Sequence, residues 1–157
     1  MFEKLNEYIK NNLVDEEIIL FDRSIIETSY KSSNSIDSYI NENKEETKFQ
    51  KLLFKYIDER NLKDSDVYNK VHLDRRLFSK IRNNPNYSPS KETVILLGLA
   101  LELTEKEFIK LLESAAFSLP KNNYYDLIIR FCFKEKIYKI KDVNDLLASY
   151  NCNLFNY

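Results

Sequence analysis

One glycine, Gly98, stands in the whole chain of 157 residues. That scarcity limits the available folds more than any other feature. Glycine turns hairpins through φ > 0 and lets backbone close on a phosphate. With one glycine, a glycine-rich phosphate cradle or a G-x-G-x-x-G nucleotide fingerprint is excluded. An all-β fold is disfavoured on the same ground, because few places remain for its tight turns. The class left is all-α. Hydrophobic residues at 43% and charged residues at 31% give such a chain a globular core.

Other chemistries are thin. Cys132 and Cys152 lie twenty residues apart, and His72 is the only histidine. A zinc site needs about four such ligands, so no metal site and no cofactor are expected. Both thiols read as reduced. Asp15, Glu16, Glu17 and Asp22 lack the Gly or Asp alternation of a calcium loop and read as a helix start. No window of about eighteen apolar residues exists, so no membrane span is expected. The N-terminal MFEKLNEYIKNNL carries acidic residues and no short apolar run, unlike a signal peptide. The expected location is the cytoplasm. His72 has no Ser or Cys partner close in sequence, and no catalytic constellation is visible, so the chain does not read as an enzyme.

Hydrophobic spacing lays out the elements. Phe2, Leu5, Ile9 and Leu13 recur at helical intervals, followed by the dense run Ile18 to Phe21. The serine-rich stretch 29–38 reads as a linker. Residues 47–60 place Phe49, Leu52, Leu53, Tyr56 and Ile57 on one helix face. Short helices follow at 64–71 and 74–83, the second with Asp74 as N-cap. Ser90 caps KETVILLGLALEL, which is apolar nearly all round and therefore buried; Gly98 within it reads as room for close helix packing. Thr104 and Glu107 form a capping box that opens EKEFIKLLESAAF. Helices at 124–136 and 142–151 complete the pattern, and the aromatic tail of Tyr150, Phe155 and Tyr157 is expected to fold back on the core. The chain divides into an acidic helical arm with linker (1–46), a central domain (47–116) and a C-terminal helical extension (117–157). Residues 1–46 carry a net charge of −6 and residues 47–157 a net of +5.

The pair of short helices has a further regularity. Counted from Asp64 as position 1, apolar residues stand at positions 4, 8, 10, 15 and 18: Val67, Val71, Leu73, Phe78 and Ile81. Those are the positions that lock a helix-turn-helix together. The register turns Arg75, Arg76, Ser79, Lys80, Arg82 and Asn83 outward, residue types that reach guanine edges and phosphates.

On the stretches NLKDSDVYNKVHLDRRLFSKIRN, SPSKETVILLGLALEL and TEKEFIKLL, residues 47–113 resemble the five-helix domain of phage-repressor (Xre-like) helix-turn-helix proteins. The resemblance implies a DNA-binding regulator of bacterial or phage type, with helix 74–83 as recognition helix and double-stranded DNA as partner. Because such domains read two half-sites about one DNA turn apart, it also implies a homodimer. Residues in the helices after 123 or in the arm before 38 are the candidate contacts. A longer stretch, extending through YYDLIIRFCFKEKIYKIKDVNDLL, is similar to small bacterial proteins and to tails that follow macro domains. The macro domain's glycine-rich loops are missing, so no ADP-ribose chemistry is implied. The chain departs from the repressor pattern at position 5, usually Ala or Gly and here Tyr68, and at position 9, usually Gly and here His72. The helix at 74–83 ends in Asn84-Pro85 rather than at a Gly.

A second reading stays open. The basic side chains of helix 74–83 also suit an ordinary solvated face. The fold would then serve as a protein-protein interaction module, an inhibitor or adaptor without DNA binding.

Overall fold

The computed structural model describes residues 1–13, 36–43 and 48–156. The run Ile18 to Phe21, the acidic set Asp15, Glu16, Glu17 and Asp22, residues 29–35 and Tyr157 lie outside them. The described residues form nine α-helices and no strand. They are α1 (Phe2–Asn12), α2 (Ile36–Asn43), α3 (Phe49–Glu59), α4 (Asp64–Lys70), α5 (Arg75–Asn83), α6 (Lys91–Ala100), α7 (Glu105–Ser114), α8 (Tyr124–Lys134) and α9 (Ile140–Ser149).

Helix starts follow local chemistry. The Asp74 carboxylate accepts from the Arg76 N–H at 2.6 Å, and Ser90 Oγ accepts from the Thr93 N–H at 3.2 Å. Thr104 and Glu107 form the reciprocal box, each side chain accepting the other's backbone N–H at 3.2 and 2.9 Å. Asn123 Oδ1 accepts from the Asp126 N–H at 2.8 Å. These contacts satisfy donors that a helix leaves orphaned at its first turn.

Helix ends follow a rule that the glycine count concealed. Asn61, His72, Glu102, Ala116, Lys136 and Asn151 all take left-handed backbone, with φ between 50° and 63°. Each sits just past a helix, at the ends of α3, α4, α6, α7, α8 and α9. In each case the next residue donates its N–H to the carbonyl five back, as from Leu73 to Tyr68 at 2.9 Å or Ile137 to Cys132 at 2.8 Å. The left-handed residue itself donates to the carbonyl three back, as from His72 to Asn69. This is the Schellman terminator, in which Gly is the usual occupant. Here none of the six is Gly. What holds the backbone there is the residue that follows: Leu62, Leu73, Leu103, Phe117, Ile137 and Cys152 all pack in or against the core. Scarcity of glycine limits hairpins but not these helix ends, where six non-glycine residues take φ > 0. The same device stops α6 at Ala100, short of the apolar run's end, because Glu102 turns left-handed.

Helix α6 is the centre, buried from Thr93 through Ala100. Helix α7 packs on α6, and Gly98 makes that approach possible. A Cβ at Gly98 would lie 2.6 Å from Phe108 Cδ2 and 3.1 Å from Phe133 Cζ. Phe108 of α7 and Phe133 of α8 stack there with centroids 3.7 Å apart and planes 7° apart. Further layers extend from this point: α3 on α7, α4 on α6, α5 on α4, α8 on α7, and both α1 and α9 on α8. All five apolar residues expected on α3 are buried. Of the four expected on α1, Leu5 and Ile9 are buried, while Phe2 and Leu13 are exposed. The helix meets α8 through its middle turns, and Leu13 has already left the helix for extended backbone. Residues 36–38, expected within the linker, open helix α2. Ile36, Tyr39 and Ile40 at helical spacing, with Asp37 in the first turn, favour helix there over loop.

The tail after α9 is held by a buried amide. Asn144 Nδ2 donates to the Phe155 carbonyl and Oδ1 accepts the Phe155 N–H, both at 2.9 Å. Phe155 is buried as expected, and Tyr150 is partly buried. The two cysteines are free, and burial pushes the Cys132 thiol up to about 12.

Two stability predictions follow from the terminators and from Gly98. Glu102→Gly, Ala116→Gly and Lys136→Gly are each expected to stabilise the protein by about 1 kcal/mol in urea unfolding, since a side chain in left-handed backbone costs roughly that much. Asn61→Gly and Asn151→Gly should gain less, because Asn tolerates the conformation. Glycine variants no more stable than the parent would show that these positions carry no strain. Gly98→Ala should lose about 1–3 kcal/mol by overpacking against Phe108, and the loss should shrink in a Phe108→Leu background.

Candidate nucleic-acid interface

Helices α4 and α5 are short, and a four-residue corner joins them. Val71 closes α4, His72 turns left-handed at φ 55°, Leu73 packs inward and Asp74 caps α5. Val67, Val71, Phe78 and Ile81 are buried between the two helices and the core, and Leu73 is half-buried against them. His72 thus adopts the conformation for which glycine is ordinarily placed at this corner. Tyr68 leans its ring on Phe78, with centroids 5.6 Å apart. Phe54 of α3 meets the same ring edge-on at 6.1 Å. The two helices stay in contact with Tyr68 at their margin.

The six polar residues expected to face outward from α5 do not behave alike. Arg75, Arg76 and Lys80 are exposed, and among the described residues they have no ion pair. No carboxylate stands on α5 itself. Ser79 and Asn83 are exposed and paired, the Asn83 amide donating to Ser79 Oγ at 3.1 Å. Arg82 is different. Its Nε and Nη2 donate to the two carboxylate oxygens of Asp64, each at 2.5 Å. Its guanidinium also lies 4.1 Å from the centroid of the Phe54 ring. The hydrogen bond to Asp64 pushes the guanidinium further above its ordinary range, against a smaller opposing effect of burial. Gln50 of α3 completes the arrangement by donating to the Ile81 and Arg82 carbonyls at 3.2 and 2.6 Å.

Asp64, Phe54 and Gln50 were not singled out by the sequence. One signal for Arg82 was present: it stands four residues on from Phe78, so it follows the buried stripe rather than the outward one. The partner, eighteen residues earlier at the start of α4, carries no sequence signal. A shallow groove flanks this end of α5, lined by Lys48, Lys51, Lys55, Phe54 and Arg82 together with Asp58 and Glu59.

Among the described residues no helix is long and apolar enough to cross a membrane, and no three His, Cys, Asp or Glu side chains gather as a metal set. The chain matches no family model, no curated protein and no solved structure.

The pair between Arg82 and Asp64 is testable in isolation. A double-mutant cycle of Arg82→Ala and Asp64→Ala should give a coupling of about 0.5–1 kcal/mol that shrinks with added salt, as for partly exposed pairs. Zero coupling at low salt would mean that the two side chains act independently.

Proposed function

We propose that the protein is a DNA-binding regulator of the helix-turn-helix type, with α5 as its recognition helix. The observation that carries the proposal is the two-sidedness of α5. Its inward side bears Phe78 and Ile81 in the motif register, and its outward side bears Arg75, Arg76 and Lys80 without ion pairs among the described residues. Unpaired guanidinium and ammonium groups on a helix that stands at the edge of the fold suit a polyanionic partner. Arg75 and Arg76 lie near the start of α5, the end at which recognition helices of this type approach base edges. Ser79 and Asn83 complete the reading face. Arg82, committed to Asp64 and Phe54, acts through the position of α5 rather than by touching a phosphate. In this reading the chemistry is binding alone, the fold is repressor-like, and the functional unit is a dimer on two half-sites.

A second reading, a protein-interaction module, is supported by Arg82. Its guanidinium serves the fold, and Asp58, Glu59 and Asp64 give that flank of α5 a mixed charge.

Fluorescence anisotropy with random duplex DNA, at low and moderate salt, separates the readings. DNA binding is expected to fall steeply with salt, and Lys80→Ala should lower the slope of log affinity against log salt by about 1. Arg75→Ala or Arg76→Ala should cost ~1–3 kcal/mol on a preferred site and relax specificity at one base pair. Asp74→Ala should instead lower stability by about 1 kcal/mol through its cap. A folded Arg75→Ala/Arg76→Ala variant with undiminished DNA affinity, or a parent protein with only weak background binding, would favour the interaction module.

A further inference from the structure

We infer that the groove between α3 and the end of α5 docks a short acidic peptide of a partner protein, anchored by one aromatic side chain. The inference does not depend on DNA reading by α5. It gives the interaction reading a partner of stated chemistry.

The groove is open and about 850 Å³ in volume, within the range of ligand clefts. Its wall is fixed, because the Gln50 amide ties α3 to the Ile81 and Arg82 carbonyls at 3.2 and 2.6 Å. Two side chains build its centre. The Phe54 ring is partly buried, with the Phe78 ring against it edge-on. The Arg82 guanidinium lies 4.1 Å from the Phe54 centroid, and both carboxylate oxygens of Asp64 hold it there. The Arg82 side chain is nevertheless 48% exposed. A guanidinium pinned by a carboxylate and backed by one ring offers its remaining surface to a second ring. It needs no further ordering to do so.

The charges in the groove are ordered along α3, and this order selects the occupant. Lys48, at the N-cap position, Lys51 and Lys55 come first, and Asp58 and Glu59 follow at the far end. All five are exposed. Lys48 reaches only the uncharged Asn86 Oδ1, at 3.4 Å, and Lys51 has no ion pair among the described residues. Lys55 meets Glu59 loosely at 3.9 Å, while Asp64 matches Arg82. Lys48, Lys51, Lys55 and Arg82 against Asp58, Glu59 and Asp64 leave a net charge of +1, concentrated at the start of α3. A nucleic-acid strand carries a phosphate at every step, and one running along the groove would set phosphates against Asp58 and Glu59. A short peptide ends before them. From Lys48 to Lys55 the helix rises about 10 Å, the span of roughly three extended residues. Acidic side chains over Lys48 and Lys51, with an aromatic ring on Arg82, complement the groove in charge and in shape.

An array of acidic octapeptides, each with one Phe at a varied position, tests the inference when probed with the full chain. Fluorescence anisotropy then measures the peptides retained. The parent is expected to retain members of the array, and to lose them when Phe becomes Ala or when Asp and Glu become Asn and Gln. Lys48→Glu/Lys51→Glu should weaken a retained peptide about tenfold, with unchanged helical circular dichroism, since acidic residues suit a helix start. The same variant should gain affinity for the peptide with Lys in place of its acidic residues. A parent that retains no peptide, or a double variant that binds as the parent does, overturns the inference. No peptide retained, with duplex-DNA affinity lost in the double variant, assigns the groove to phosphates and overturns it as well. The DNA reading fails separately: a protein that retains the peptides but binds no duplex DNA overturns that reading and leaves the groove standing.

Discussion

Left-handed helix termination without glycine is the constraint on which this structure depends. Six of the nine described helices end with a side-chain-bearing residue at φ between 50° and 63°. A side chain there costs up to about 1 kcal/mol relative to glycine, less for Asn61 and Asn151. The cost is offset by the apolar residue that follows, which the turn delivers to the core. Leu62, Leu73, Leu103, Phe117, Ile137 and Cys152 play this part in turn. The helices are short, between 7 and 11 residues, and would be marginal alone. Packing after each turn is therefore what makes the helices and what fixes the turns, and neither is stable without the other.

The corner between α4 and α5 is one instance of this general device. Its left-handed residue is His72, and the residue that follows is Leu73, a member of the apolar register that locks the pair. His72 takes the left-handed conformation there at a small energetic cost relative to glycine. The consequence reaches α5, because the corner aims Phe78 and Ile81 inward and leaves Arg75, Arg76 and Lys80 in solvent. The clamp of Asp64, Arg82 and Phe54 then holds the far end of α5 against α3 and α4. Helix α5 is fixed at both ends and along its inward side by contacts that leave Arg75, Arg76 and Lys80 exposed.

At the opposite end the fold is tied by different means. Asn144 grips the backbone of Phe155 with both ends of its amide, and Tyr150 reaches Asn6 of α1. The first and last segments of the described chain are thereby joined on α8. Between the two ends, the stacked rings of Phe108 and Phe133 occupy the space that Gly98 leaves open. The chain's only glycine is used for a close helix approach, where a Cβ has no room, and not for a turn, where other residues are tolerated.

Much of this was legible in the sequence, and the parts that were share a cause. Helix periodicity, the caps at Asp74, Ser90 and Thr104, the buried character of α6 and the register from Val67 to Ile81 all depend on residues within a turn or two of each other. Such interactions are written into spacing. The left-handed terminators were local as well, yet Glu102, Ala116 and Lys136 give no signal of their own, because the force that holds them is the burial of the next residue. Only the tertiary structure assigned Arg82 to Asp64 and Phe54, left Phe2 in solvent while Leu5 and Ile9 were covered, and brought Tyr124, Tyr150 and Asn6 together. Spacing determines which side of a helix is apolar; what covers that side, and which charged groups find partners across the fold, depends on contacts between residues that sequence distance does not relate.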